Sequence, residues 1–110
     1  MTQDESRVVI PLVAKQADEL KRLCRRYRVQ QLDLFGSASV RGHLTEDSDL
    51  DFVVEFQPEA MGAYADAYFG LLESLEELFG RPIDLIIDSA IKNPYFREAV
   101  DESRTLVYAA

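Results

Sequence analysis

The fold is decided by two stretches, Leu34-Phe35-Gly36-Ser37 and Ser48-Asp49-Leu50-Asp51-Phe52-Val53-Val54. The first completes a short apolar run, Gln31 to Phe35, which predicts a strand that ends in a tight turn at the glycine. The second belongs to an alternating segment, Leu50–Phe56, in which apolar residues occupy every other position. Such alternation predicts a strand with one face in the core and one face open.

Asp49 and Asp51 lie two residues apart on the second strand, so their side chains point to the same face. Because the other face is apolar, both carboxylates should project away from the core, side by side. Like charges that close repel, and each raises the pKa of the other. A divalent cation such as Mg²⁺, which prefers carboxylate oxygens, would offset the repulsion. The pair therefore predicts a metal site.

A third carboxylate lies on a predicted strand over Pro82–Asp88. The apolar face of that strand holds Ile83, Leu85 and Ile87. Asp84 therefore projects to the other side, and it joins Asp49 and Asp51 if the two strands are neighbours. Three carboxylates could hold two metal ions, which stabilise the entering and leaving oxygens of a phosphoryl displacement. The carboxylate nearest the entering hydroxyl is the candidate general base. Asp88, about 13 Å further along, is a weaker candidate.

Gly36-Ser37 supplies groups that suit a phosphate. The glycine lets the backbone approach a ligand closely. The Ser37 hydroxyl and the amide groups that follow it can donate hydrogen bonds to phosphate oxygens. Arg41, in the polar segment that follows, could approach a phosphate as well.

The remaining periodicity predicts three helices. An amphipathic helix spans Val8 to Tyr27, a second spans Tyr64–Phe79 and stops at Gly80, and a third runs from Tyr95 to about Tyr108. Strands separated by helices predict an α+β (α/β-like) fold, a small mixed sheet with helices packed on one face. The length of 110 residues suits a single domain over 1–110.

Composition narrows the classes of function. The net charge of −8, from 20 acidic and 12 basic residues, argues against direct, charge-driven binding to nucleic acid. No apolar run approaches the roughly 18 residues of a membrane span, and no signal peptide is visible. The single cysteine, Cys24, cannot form an internal disulfide. These features predict a cytoplasmic protein without membrane contact. They leave open whether the chain forms a homo-oligomer.

Together the motifs resemble those of the minimal nucleotidyltransferases of the DNA polymerase β superfamily. The motifs that carry it are Leu34 to Ser37, Arg41-Gly42, Ser48 to Val54 and Ile83-Asp84-Leu85. The resemblance extends from about Val29 to Asp88, and the segment from Asn93 to Ala110 also resembles the tail of small, stand-alone members. It implies a polymerase β-like core in which Asp49, Asp51 and Asp84 are catalytic and bind metal. It also implies that Gly36, Ser37, Arg41 and Ser48 bind the nucleotide. The eleven residues between Ser37 and Asp49 are one more than is usual, so it stays open whether Arg41, His43 or Thr45 faces the nucleotide.

The resemblance also implies an activity. Such enzymes transfer a nucleoside monophosphate from ATP or another nucleoside triphosphate to a hydroxyl group, with Mg²⁺, of which the three carboxylates could hold two ions. The smallest ones pair with a HEPN-domain toxin and adenylylate one of its tyrosines, which makes them antitoxins. Two alternatives stay open at this point: a non-catalytic antitoxin that neutralises its partner by contact, and a transferase acting on a small molecule such as an aminoglycoside.

Overall fold

The computed structural model describes residues 11–36 and 49–110, and the side chains of residues 59–61 are outside that description. In chain order the helices are α1 (Pro11–Ala14), α2 (Ala17–Arg26), α3 (Tyr64–Phe79) and α4 (Pro94–Ser103). The strands are β1 (Val29–Phe35), β2 (Leu50–Phe56), β3 (Ile83–Ile87) and β4 (Thr105–Ala109). Two 3₁₀ turns, Pro58–Ala63 and Asp88–Ala90, follow β2 and β3.

The four strands form one mixed sheet in the order β3-β2-β1-β4. β2 and β3 run parallel, whereas β1 is antiparallel to both β2 and β4. The amino-terminal ends of β2 and β3 therefore lie beside the carboxyl-terminal end of β1, at the same end of the sheet. Asp49, Asp51, Asp84 and Gly36 all lie at this end. The predicted small mixed sheet is confirmed.

One face of the sheet, here called the core face, is covered by α2 and α3. Its centre is the alternating apolar side of β2, where Leu50, Phe52 and Val54 have no measurable exposure. The ring of Phe52 stacks on that of Phe79 from α3 at a centroid distance of 6.1 Å. Burial of this kind stabilises the fold by about 1.5–3 kcal/mol for each large apolar side chain.

The opposite face, here called the carboxylate face, is partly covered by α4. Val100 of α4 is fully buried against Phe35 and Val53. The sequence pattern predicts that all helices pack on one face of the sheet. α2 and α3 do so, whereas α4 packs on the opposite face. The physical reason is that Phe35 and Val53 are apolar and lie on the side of the strands that α2 and α3 leave open.

The helix predicted over Tyr95–Tyr108 was wrong in its second half. α4 ends at Ser103, Arg104 is extended (φ −71°, ψ 141°), and Thr105–Ala109 forms β4 against β1. β-Branched and aromatic residues such as those in Thr105–Tyr108 favour a strand. Pairing with β1 also satisfies backbone groups that would otherwise be open along the edge of the sheet.

The first predicted helix is divided in two. α1 closes with a bond from the amide of Gln16 to the carbonyl of Val13, and α2 starts afresh at Ala17. The segment Val8–Ile10 of that prediction lies outside the described residues. α3 matches its predicted bounds and ends at Gly80, whose left-handed φ of 63° suits glycine. β1 begins two residues before the predicted strand, and β3 is one residue shorter at each end.

Candidate functional site

The register of the sheet brings two of the predicted carboxylates together. Asp51 of β2 is the direct neighbour of Asp84 in the parallel strand β3. Neighbouring strands are about 4.8 Å apart, and residues in register point to the same face. Asp49 immediately precedes β2, two residues before Asp51, and its side chain is exposed. The alternation of buried apolar residues on both strands places all three carboxylates toward the carboxylate face.

The electrostatics of Asp51 reflect this crowding. Partial burial raises the pKa of its carboxyl above the ordinary value, and the negative charges of Asp84 and then Asp49 raise it further. The negative charge of Asp84 also affects Tyr68 of α3. Burial raises the pKa of the Tyr68 hydroxyl, and the charge of Asp84 raises it further. Tyr68 donates a hydrogen bond of 2.7 Å to the carbonyl oxygen of Leu85, next to Asp84. The site is therefore a concentration of negative charge with no cationic side chain among the causes of either shift.

Gly36 closes the site on the side of β1. Its φ of +86° is a left-handed conformation that favours glycine. A Cβ at this position would lie 2.7 Å from Oδ2 of Asp51. A side chain at this position would therefore have to displace the Asp51 carboxylate or the turn. Glycine is favoured here by its conformation, and it also leaves the Asp51 carboxylate undisturbed.

Ser103, the last residue of α4, holds the Gly36 turn. The amide of Gly36 donates a hydrogen bond of 3.0 Å to Oγ of Ser103. The Ser103 hydroxyl in turn lies 3.1 Å from the carbonyl oxygen of Ala99. The sequence analysis did not identify Ser103, because nothing in the local pattern links residues 67 positions apart.

A network of charged side chains lies further along the carboxylate face. Asp33 of β1 is 3% exposed and accepts a 2.6 Å hydrogen bond from Nε of Arg104. Arg104 also contacts Oδ2 of Asp88 at 3.0 Å and Oδ1 of Asp101 at 2.8 Å. Arg97 pairs with Oδ1 of Asp88 at 2.6 Å. The network fixes α4 and the start of β4 against the sheet.

Asp88, the weaker metal candidate of the sequence analysis, belongs to this network. Burial by itself would raise the pKa of its carboxyl, but hydrogen bonds from Arg104 and Arg97 outweigh burial and lower the pKa. Both of its oxygens are engaged by guanidinium groups. Asp88 is thus a structural carboxylate, and Asp33, which the sequence analysis missed, is its counterpart on β1.

The structure can be tested for its fit to a divalent metal. The oxygens of Asp51 and Asp84 are the hard donors that Mg²⁺ prefers, and the mutual repulsion of these carboxylates is what a cation relieves. Within residues 11–36 and 49–110, no three His, Cys, Asp or Glu side chains are already gathered as tightly as a bound ion requires. The chemistry of the Asp51 and Asp84 carboxylates thus suits a divalent cation, but the described side chains do not form a ready-made three-ligand site.

Three of the predicted nucleotide-binding residues, Ser37, Arg41 and Ser48, lie outside the described residues, as do His43 and Thr45. Gly36 is therefore the one predicted phosphate-side residue that can be placed. A cavity of about 390 Å³ lies between α2 and the start of α3, lined in part by Arg26 and Arg28. It is at the start of β1, about 20 Å from Gly36 along the strand, so it does not belong to the carboxylate site.

Two further features concern Cys24 and the lengths of the helices. Cys24 is fully buried, and burial raises the pKa of its thiol to about 12, so it is a core residue without thiolate reactivity. Among the described residues, no helix has the length and apolar character needed to cross a membrane.

Comparison with known proteins agrees with this geometry. The nucleotidyltransferase domain family matches residues 18–107. A protein of Methanocaldococcus jannaschii, provisionally named a protein adenylyltransferase, is 35% identical over 102 residues, which cover 86% of this chain and 98% of that protein. A solved structure described as a minimal nucleotidyltransferase superposes with a TM-score of 0.71 at 28% identity, covering 90% of this chain and 96% of that one.

A third match shows the fold alone. It is a chain from the complex of a tri-AMPylated Shewanella oneidensis HEPN toxin with an MNT antitoxin, with a TM-score of 0.59 at 16% identity. It covers 89% of this chain and 73% of that one. The predicted resemblance to the minimal nucleotidyltransferases is confirmed by these matches, as is the expectation of an enzyme. The family model spans β1, the carboxylate strands and α4 together, so the chain belongs to the nucleotidyltransferase domain family.

Proposed function

We propose that this enzyme transfers AMP from ATP to a tyrosine hydroxyl of a HEPN-domain toxin and thereby acts as its antitoxin. The observation that carries the proposal is the register of Asp51 with Asp84 beside the Gly36 turn. The name of the Methanocaldococcus relative supports a protein as the acceptor. The fold shared with a chain of a toxin–antitoxin complex supports a HEPN partner.

Asp49, Asp51 and Asp84 are the residues that would hold Mg²⁺, as two ions when all three carboxylates take part. When bound, the metal supplies positive charge that neutralises the phosphates and the oxygens of the displacement. Without the metal the ionised form of Asp51 is disfavoured first by burial and then by the negative charges of Asp84 and Asp49, and all three raise the pKa of its carboxyl. A site that is destabilised until it is loaded is a common consequence of grouping like charges for function.

The chemical step is a displacement at the α-phosphorus of the nucleotide. The acceptor hydroxyl oxygen forms a bond to that phosphorus, the bond from the α-phosphorus to the bridging oxygen breaks, and pyrophosphate leaves with the bonding electrons. The hydroxyl proton passes to the carboxylate nearest the acceptor, which is the general base. The products are the adenylylated hydroxyl and pyrophosphate.

The turn at the end of β1 would hold the phosphates. The positive φ of Gly36 directs the chain past Asp51 without a side chain in the way, and the amides after it are the proposed donors to phosphate oxygens. Ser37, Arg41 and Ser48 remain proposed nucleotide-binding residues. The preference for ATP over other nucleoside triphosphates, and a cytoplasmic location, are likewise part of the proposal.

The test is transfer of label from α-labelled ATP, with Mg²⁺, to a HEPN-domain protein supplied as the candidate partner. The double variant Asp49→Asn, Asp51→Asn removes the metal-binding pair. A matched control, Glu76→Gln with Glu77→Gln, removes two carboxylates from the exposed side of α3. We expect label with the wild type and the control, and none with the aspartate variant.

Two other outcomes would change the proposal. If the aspartate variant still neutralises the toxin as fully as the wild type, contact alone suffices for the antitoxin role. If the wild type forms a stable complex and transfers no label, the acceptor is not this partner, and the protein-adenylylation proposal is wrong.

A further inference from the structure

The carboxylate face carries two packed aromatic side chains next to the site, Phe35 and Phe96, and the exposed Tyr95 precedes Phe96 in α4; the three residues are here called the aromatic corner. Phe35 is the cross-strand neighbour of Asp51 in the antiparallel pair of β1 and β2. Residues opposite each other in such a pair have Cβ atoms about 5 Å apart on the same face. The ring of Phe96 packs edge-on against that of Phe35 at a centroid distance of 6.1 Å. Phe96 therefore stands one side chain away from Asp51.

The position of Phe96 is fixed from several directions. The side chain of Asn93 accepts hydrogen bonds from the amides of Tyr95 and Phe96, at 2.8 and 3.1 Å, which caps the start of α4. One turn further on, Arg97 is tied to Asp88, and Val100 is fully buried. An aromatic ring held in this way presents its surface without a large cost in side-chain entropy.

The corner is nevertheless open to solvent. Phe96 keeps 38% of its surface exposed, and Tyr95 beside it keeps 81%. Exposed aromatic residues adjoining a site are typical of protein interfaces, where they act as anchors. A pocket for a nucleotide base would enclose most of its ligand, and an open corner does not. The surface therefore suits an acceptor that arrives on another protein.

We infer that Phe96 positions the acceptor in the transfer reaction by packing against the aromatic ring of the acceptor tyrosine. This inference rests on the proposed function. A phenol ring can meet Phe96 edge-to-face, which is the favoured arrangement for aromatic pairs. Its hydroxyl is neutral before attack, so it can enter a site lined by carboxylates, and the ring packing sets where that hydroxyl lies. Phe96 is a positioning residue and takes no part in the bond changes.

The experiment measures KM for the HEPN-domain protein and KM for ATP separately, with the 110-residue chain and Mg²⁺. Phe96→Ala is compared with Phe96→Tyr, which keeps the ring, and with Tyr95→Ala, whose side chain is too exposed to affect folding. Phe69→Ala is the matched control, because Phe69 is 57% exposed on α3, which packs on the other face. We expect Phe96→Ala to raise KM for the acceptor by roughly tenfold, as an interface anchor does. We expect KM for ATP to stay within about twofold, because an open corner does not enclose the base.

Phe96→Tyr should restore the acceptor KM, Tyr95→Ala should raise it by a smaller factor, and Phe69→Ala should leave it unchanged. A rise in KM for ATP alone would assign the corner to the nucleotide and overturn the inference. Unchanged constants in both Phe96→Ala and Tyr95→Ala would also overturn it, while leaving the proposed function intact. Absence of transfer by the wild type would remove the proposed function, and this inference with it.

Discussion

Replacement of Gly36 by alanine tests whether the close approach of the β1 turn to Asp51 serves catalysis. The substitution has two separable effects. Alanine at a φ of +86° is strained by about 1–2 kcal/mol. In addition, its Cβ would lie 2.7 Å from Oδ2 of Asp51, whereas ordinary contact begins at 3.4 Å. The carboxylate or the turn must therefore move by about 0.7 Å, the difference between those two distances.

The two effects predict different measurements. The backbone strain should lower the unfolding midpoint by about 4 °C or more in a domain of this size. The displacement should lower the transfer rate by about tenfold to 100-fold, since a misplacement of about 1 Å in a catalytic site costs on the order of 100-fold. The rate is measured with labelled ATP and saturating acceptor, well below the unfolding midpoints of both proteins.

Gly80→Ala separates strain from contact. Gly80 also has a positive φ, +63°, but a Cβ there has no neighbour within 4 Å. We expect the two alanine variants to lose similar stability and Gly36→Ala alone to lose transfer. If the transfer rate of Gly36→Ala stays within about threefold of that of Gly80→Ala, the contact between the turn and Asp51 has no catalytic role, and the reasoning is refuted.

Three further predictions concern stability. Asp51→Asn should raise the free energy of unfolding of the metal-free protein at neutral pH, because it removes a carboxylate whose ionised form is disfavoured by burial and by Asp84. After discounting for solvent screening, we expect the free energy of unfolding, measured in urea, to rise by a few tenths to about 1 kcal/mol. A lower free energy of unfolding would contradict the repulsion between Asp51 and Asp84. Arg104→Ala should lower the free energy of unfolding by about 3 kcal/mol, because it leaves Asp33 buried without its cation. Arg22→Ala is the control: it breaks an exposed ion pair with Glu19 and should lower the free energy of unfolding by less than about 0.5 kcal/mol. Equal losses in the Arg104→Ala and Arg22→Ala variants would show that the buried ion pair of Arg104 does not stabilise the fold. The pKa of Asp88 is lowered in the folded state. The ionised Asp88 carboxylate therefore stabilises the fold above the ordinary carboxyl pKa of 3.8, and this stabilisation is lost as the pH falls through the lowered pKa. The wild type should therefore lose stability more steeply than Arg104→Ala on acidification below about pH 4 in denaturant titrations followed across pH, and parallel curves would argue against it.

Much of the site could be predicted because its signals are local. The alternation in Leu50–Phe56 fixes which side of β2 faces the core, and therefore where Asp49 and Asp51 point. The same argument applies to Asp84 on β3. What the pattern did not provide was the pairing itself, since nothing in either segment states that β2 and β3 are parallel neighbours. The register of Asp51 with Asp84 comes from the packing of the whole sheet.

The parts that were missed depend on contacts between distant residues. Thr105–Ala109 has a composition that favours a strand, but it directly follows a genuine helix, and the helical pattern was extended through it. Once β4 pairs with β1, Arg104 is carried to Asp33, which is 71 positions away in the sequence. The available signal was the presence of Asp33 within an apolar strand. A buried carboxylate requires a cationic or hydrogen-bonding partner, which indicates that a residue such as Arg104 must reach it.

If Asp51 and Asp84, adjacent in the sheet, form a metal-dependent centre for transfer of AMP, the intact mass of a HEPN-domain protein should show it after incubation with this chain, ATP and Mg²⁺. The comparison uses the wild type, the wild type with a chelator, Asp51→Asn and Asp84→Asn. We expect the mass of added AMP with the untreated wild type and with none of the other three samples. Addition of AMP at the wild-type level by either variant, or in the presence of the chelator, would contradict it.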